Sequence, residues 1–245
     1  MNQKAWHCFS AARDRFRELT KQLLRDLPGL QERQQELVDR RDASAYPVET
    51  PVVFNRALDA VEAGDTIKLI LAADNPGRQE QRAEIQRYLA GPSGKLAEKF
   101  FRDSLGIDFR REVLILNKTP IHTPRTADLR ELCRMGGPAF AEGLQASQRA
   151  MAGLLVELHQ ALGPLRVWIT GYSELKTKGI FAAYWEALKE RYQSWDAGRE
   201  EVFLYRHFSM NQFTMDLHSQ AQEGEAIPET LSRIGRAYRL RIMGW

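Results

Sequence analysis

The 245 residues, 43% apolar and 27% charged, suit one large domain or one domain with an appendage, with material for a sizeable core. A net charge of +3 does not by itself announce a nucleic-acid binder. Apolar runs such as Ile67–Ala73 fall far short of the ~18 residues of a membrane span, and Met1-Asn2-Gln3-Lys4-Ala5-Trp6 lacks the apolar stretch of a signal peptide. A cytoplasmic protein without membrane contact is therefore expected. Two cysteines, Cys8 and Cys133, cannot alone hold an iron–sulfur cluster or a four-cysteine zinc site. His7, His122 and His218 show no metal-binding spacing, so neither metal nor cofactor is expected.

Residues 5–42 read as helical, with Phe9, Phe16, Leu19, Leu23, Leu24 and Leu27 at helical spacing and an interruption at Pro28-Gly29. Ser44 to Pro51 reads as a linker. Residues 1–50 are thus expected to form a helical extension packed on a main domain of residues 51–245. Four short apolar runs come next, at 67–72, 113–116, 165–169 and 202–205. Helical candidates lie near 79–90, 94–105, 138–162 and 176–194. Apolar strands alternating with helices predict an α/β fold: a three-layer sandwich with a central four-stranded parallel sheet flanked by helices. Four arginines between Arg233 and Arg241 fit either a solvated helix face or a track for a phosphate backbone.

In parallel sheets, ligands bind beyond the carboxyl ends of the strands, so chemistry is expected in the residues just after each run. Asp74-Asn75-Pro76-Gly77 comes after the first and Asn117-Lys118-Thr119-Pro120 after the second. After the third comes Gly171-Tyr172-Ser173, leading to Lys176 and Lys178, and after the fourth His207-Phe208-Ser209-Met210-Asn211. Each signal is weak alone. Together they gather amides, hydroxyls and a histidine on one rim.

This constellation resembles the uracil-DNA glycosylase superfamily over roughly residues 65–215. Asn75-Pro76-Gly77 matches the second half of the family's first motif, in its asparagine version. Tyr88 to Leu96 is similar to a stretch of the cluster-containing bacterial branch. Asn117 ends a strand where the family carries its base-reading asparagine. Trp168, Gly171 and Lys178-Gly179 are similar to the family's L-W-G…K-K-G segment, one residue longer. His207-Phe208-Ser209 stands where the family has H-P-S. Ala73 replaces the usual first glycine, Phe208 replaces proline, and the aromatic expected to stack on the base falls one place off, at Tyr88 or beside it at Leu89.

The resemblance implies hydrolysis of the N-glycosidic bond of uracil or a related deaminated base, in single- or double-stranded DNA, by a monomer without cofactor. His207 would stabilise charge on the leaving base as a neutral donor, and Asn75 would hold the attacking water, though a neutral amide is no general base. Asn117 would read the N3–H and O4 edge, with Tyr88, Pro76 and Gly77 completing the base pocket. Ser173, Lys176, Lys178 and Ser209 would grip phosphates, while Met210 and Asn211 would enter the gap left by the flipped base. Structural readings stand beside these: Asn75 supporting its turn, Asn117 capping its loop, His207 satisfied at a strand end. Asp74, next to Asn75, could in principle supply a carboxylate, but alternation along the strand predicts that it points away from the site. A non-catalytic nucleic-acid-binding relative and a hydrolase of free nucleosides are the alternative functions.

Overall fold

The structure, a computed structural model, describes residues 1–40 and 45–245. The expected helix end at Asp42 and linker start at Ser44 lie outside the described residues. Two helices open the chain. In α1 (Gln3–Asp26), the Asn2 side chain caps the N-terminus by accepting from Ala5 N at 2.8 Å. Ala5, Phe9, Ala12, Phe16, Thr20 and Leu23, spaced three and four apart, form its buried stripe. Pro28-Gly29 ends this pattern, and Gly29, left-handed at φ 73°, starts α2 (Leu30–Asp39).

The strands are β1 (Leu69–Ala73), β2 (Val113–Asn117), β3 (Arg166–Thr170) and β4 (Val202–Tyr205). They form one all-parallel sheet in the order β2-β1-β3-β4. Every strand residue except Arg166 is buried, which is why each reads as a continuous apolar run and not as an alternation. The expected α/β class and four-stranded parallel sheet are therefore observed, with β1 beginning and ending slightly later than the run at 67–72.

Helix α3 (Pro92–Leu105) links β1 to β2 at one edge of the sheet. The chain then returns past β1 to β3 through α4 (Asp128–Gly136) and α5 (Pro138–Leu162). It reaches β4 through α6 (Ala182–Tyr192) and α7 (Asp196–Glu200), and closes with α8 (Gln212–Gln220) and α9 (Ile227–Met243). Right-handed crossovers in opposite directions put α3 on one face and α5 and α6 on the other. Trp168 of β3 packs on Phe101 of α3 at 5.1 Å and Phe213 of α8 at 6.0 Å, sealing the first face. There α9 lies against β4, with Gly235 so close that a Cβ would meet Tyr205 Oη at 2.6 Å. On the other side α1 runs along α5, and Arg15 pairs with Glu157 between them. No helix among the described residues is long and apolar enough to cross a membrane.

One expectation about a helix needs correction. Residues 79–90 form a run of turns instead of a helix. Buried Gln81 accepts from Glu49 N at 2.7 Å and donates to Pro47 O at 3.2 Å, while Gln86 and Leu89 take positive φ. These distant partners supply what a helix would have offered, so tertiary bonding overrides local propensity. The arginine run sits in α9, but its members are largely committed to the fold. Arg233 makes a two-pronged pair with Glu225, Arg239 is buried and donates to Arg199 O, and Arg241 lies over the Tyr172 and Tyr238 rings. Arg236 and Arg241 are exposed.

Candidate functional site

Strand order reverses at β1, so the connections leaving β1 and β3 depart in opposite directions and open a crevice between their carboxyl ends. A cavity of about 910 Å³ lies there, and all four strand ends contribute to it. Asp74, Asn75 and Gly77 come from the loop after β1, and Asn117 closes β2. Gly171 to Glu174 come after β3, and Arg206, His207, Ser209 and Met210 after β4. Asn75, Asn117 and His207, distant in sequence, thus line one hollow.

Asn117 is 2% exposed, and neither end of its amide bonds to any described residue. The reading in which it caps the loop after β2 has no hydrogen bond behind it. Its capacity to donate and accept is left to whatever enters the cavity. Asn75 is partly committed: its Nδ2 donates to Thr123 Oγ1 at 2.9 Å and weakly to Pro76 O at 3.3 Å. This fixes the amide and leaves Oδ1 as an available acceptor, so Asn75 both supports its turn and offers an oxygen.

His207 carries a tautomer set by its own loop. The backbone N–H of Ser209 donates to Nδ1 at 3.0 Å, so Nδ1 is bare and a neutral ring must carry its proton on Nε2. Burial is the main influence on its pKa and pulls it down, Asp74 works against this, and Lys118 adds to it. Near neutral pH the ring is an uncharged donor through Nε2.

The other expected residues divide. Gly77, Ser173, Ser209 and Met210 line the cavity. Pro76 is buried behind it and acts through its carbonyl, which accepts from His122 Nδ1 at 2.8 Å. Met210 is 79% exposed with φ 50°, beside exposed Asn211 at φ 58°; two consecutive left-handed residues hold an apolar tip at the cavity mouth. Lys176 and Lys178 are exposed on the loop after β3 but outside the cavity lining. Tyr88 does not stack on anything in the cavity. It is fully buried, its hydroxyl donates to Val53 O at 2.7 Å, and Leu89 beside it is the lining residue. Phe208 is also core, stacked on Phe213 at 4.3 Å.

Two features escaped the sequence. The expectation that Asp74 points away is overturned: Asp74 lies past the end of β1, where strand alternation no longer governs direction, and it lines the cavity. Its Oδ1 accepts from Lys118 Nζ at 2.5 Å, and Thr126 Oγ1 donates to Oδ2 at 3.3 Å. Lys118 is fully buried, also donates to Thr170 O at 2.5 Å, and so ties the ends of β1, β2 and β3 together. Gly171, at φ 74°, makes room, since a Cβ there would stand 2.4 Å from Asp74 Oδ1. The second feature is Glu80, a buried carboxylate on the cavity wall. No group of three His, Cys, Asp or Glu side chains is placed to hold a metal among the described residues.

His122 braces the Asn75 turn from behind. Its Nε2 meets the Tyr46 hydroxyl at 3.1 Å, and burial lowers its pKa to about 4. His159, bonded to the Tyr192 hydroxyl at 2.8 Å, is likewise lowered by burial to about 4. Both fold as neutral rings, whereas the unfolded chain takes up their protons below pH ~6.5. Their contribution is therefore complete above pH ~6.5 and is lost as pH falls toward 4, at about 3 kcal/mol each. Urea midpoints should drop steeply between pH 6.5 and 4, and His159→Leu should flatten that slope. A level profile over this window would contradict the assignment.

A scan against protein-family models finds no match, and a search of curated proteins finds none either.

Proposed function

We propose that this chain is a DNA glycosylase of the uracil-DNA glycosylase kind, hydrolysing the N-glycosidic bond of uracil or a related deaminated base. The observation that carries the reading is one cavity lined by an uncommitted Asn117 amide and a His207 whose Nε2 holds the proton. A base flipped from the stack would present its imide edge to Asn117, which can answer a donor and an acceptor side by side. Cytosine presents the opposite pattern at those atoms and would be refused. His207 would donate through Nε2 to a base carbonyl oxygen as negative charge grows there.

Asn75 Oδ1 would hold the incoming water. A neutral amide cannot take its proton in any useful way, so catalysis would rest on leaving-group stabilisation and positioning. Ser173 and Ser209, at the cavity mouth, would meet phosphates on either side of the flipped nucleotide, and Met210 would fill the gap it leaves.

The test uses single- and double-stranded oligonucleotides bearing uracil, hypoxanthine or xanthine, scored for abasic sites. Release of a base is expected, with Asn117→Leu lowering it ~10- to 100-fold and Asn75→Ala lowering it by at least ~10-fold. Tight DNA binding without release would favour the non-catalytic reading. Hydrolysis of free nucleosides alone would favour the other.

A further inference from the structure

The glycosylase reading leaves one cavity group without a task. Glu80 is 8% exposed and lines the hollow shared by Asn75, Asn117 and His207. Its Oε1 accepts one long hydrogen bond, from Gly91 N at 3.3 Å. Its Oε2 accepts none from any described residue. The nearby cation, Arg110, is engaged elsewhere, by Glu98 at 3.0 Å and by the Tyr88 and Leu89 carbonyls.

Gly77 leaves room at the carboxylate, since a Cβ there would come 3.0 Å from Oε2. A carboxylate set into the cavity wall and so poorly supplied with protein donors keeps acceptor capacity for whatever enters the hollow. Carboxylate oxygens accept hydrogen bonds and never donate them. Uracil on its sugar has a single polar N–H, which the Asn117 amide already answers, so Glu80 would face nothing on uracil able to satisfy it.

Resting on the glycosylase reading, we propose that Glu80 selects a base carrying a second N–H or O–H donor beyond the imide read by Asn117. A pyrimidine with an added ring hydroxyl and a purine with two ring N–H groups, as in xanthine, share that chemistry.

The experiment measures kcat/KM for base release from oligonucleotides in two matched pairs: uracil against 5-hydroxyuracil, and hypoxanthine against xanthine. The donor-rich member of at least one pair should be favoured ~10- to 100-fold, the range of a hydrogen bond to a charged acceptor. Whichever pair shows the preference identifies the source of the donor. Glu80→Gln keeps an acceptor for Gly91 N–H but puts an NH₂ where Oε2 stood. It should erase the preference, while uracil release changes by less than ~3-fold and the melting temperature holds. Equal rates within both pairs, with uracil released, would overturn this inference and leave the glycosylase reading standing. So would a Glu80→Gln variant that slows all four bases alike, since that marks a general role. Release of none of the four removes the glycosylase reading and this inference with it.

Discussion

His207→Ala should lower base release by about 10²- to 10³-fold, the usual loss when one preorganised donor to a developing anion is removed. The donor is preorganised because the Ser209 N–H occupies Nδ1 and confines the proton to Nε2. Burial, the chief influence, keeps the ring uncharged at neutral pH. Any rate limb from His207 titration should therefore lie below pH ~6.5, the ordinary histidine value, and not between pH ~7 and ~8. The fold should survive, since the ring's hydrogen bond among the described residues is the one from Ser209 N–H, and its removal strands that single donor beside the cavity. His207→Gln, which can still present an N–H, should recover part of the rate. Retention of more than a tenth of wild-type activity in His207→Ala would remove the histidine from the mechanism.

Lys118→Met should destabilise the protein by about 3–5 kcal/mol, because it leaves Asp74 without its cation in a mostly enclosed position. At ~2–4 °C per kcal/mol for a chain of this size, the melting temperature should fall by roughly 6–20 °C. The lysine also loses its bond to Thr170 O, which holds β3 to the neighbouring strand ends. Asp74→Leu combined with Lys118→Met should regain much of the loss, since an apolar pair in place of a buried ion pair is often neutral. A loss under ~1 kcal/mol in the single variant would show that the pair contributes little. Thermal melts of the two variants beside the wild type decide the matter.

The sheet was legible because its strands are buried on both faces, which writes them as short unbroken apolar runs between helices. Asn75, Asn117 and His207 were legible because each stands at a strand end or within a few residues of one, so parallel topology alone brings them to one rim. Asp74 and Lys118 were not, because their pairing depends on β1 lying beside β2, a fact of strand order that neither residue carries locally. Glu80 was hidden inside a segment whose pattern suggested a helix, and the partners that unwind it lie 30 or more residues away, at Pro47 and Glu49. Tyr88 misled through a motif offset by one place: the family-like stretch is present, but the ring turns into the core and Leu89 faces the hollow.

Strand order also sets a width. Asn117 closes one outer strand, β2, and His207 comes just after the other, β4, so three inter-strand steps of ~4.8 Å separate their anchoring chains, a main-chain span of ~14 Å. That span is fixed by ladder hydrogen bonds in a sheet covered on both faces, not by rotamers at its edge. Exchanging rim side chains can change which atoms are read, but the gauge against which a ligand is measured belongs to the backbone and would shift only if the strands were re-paired.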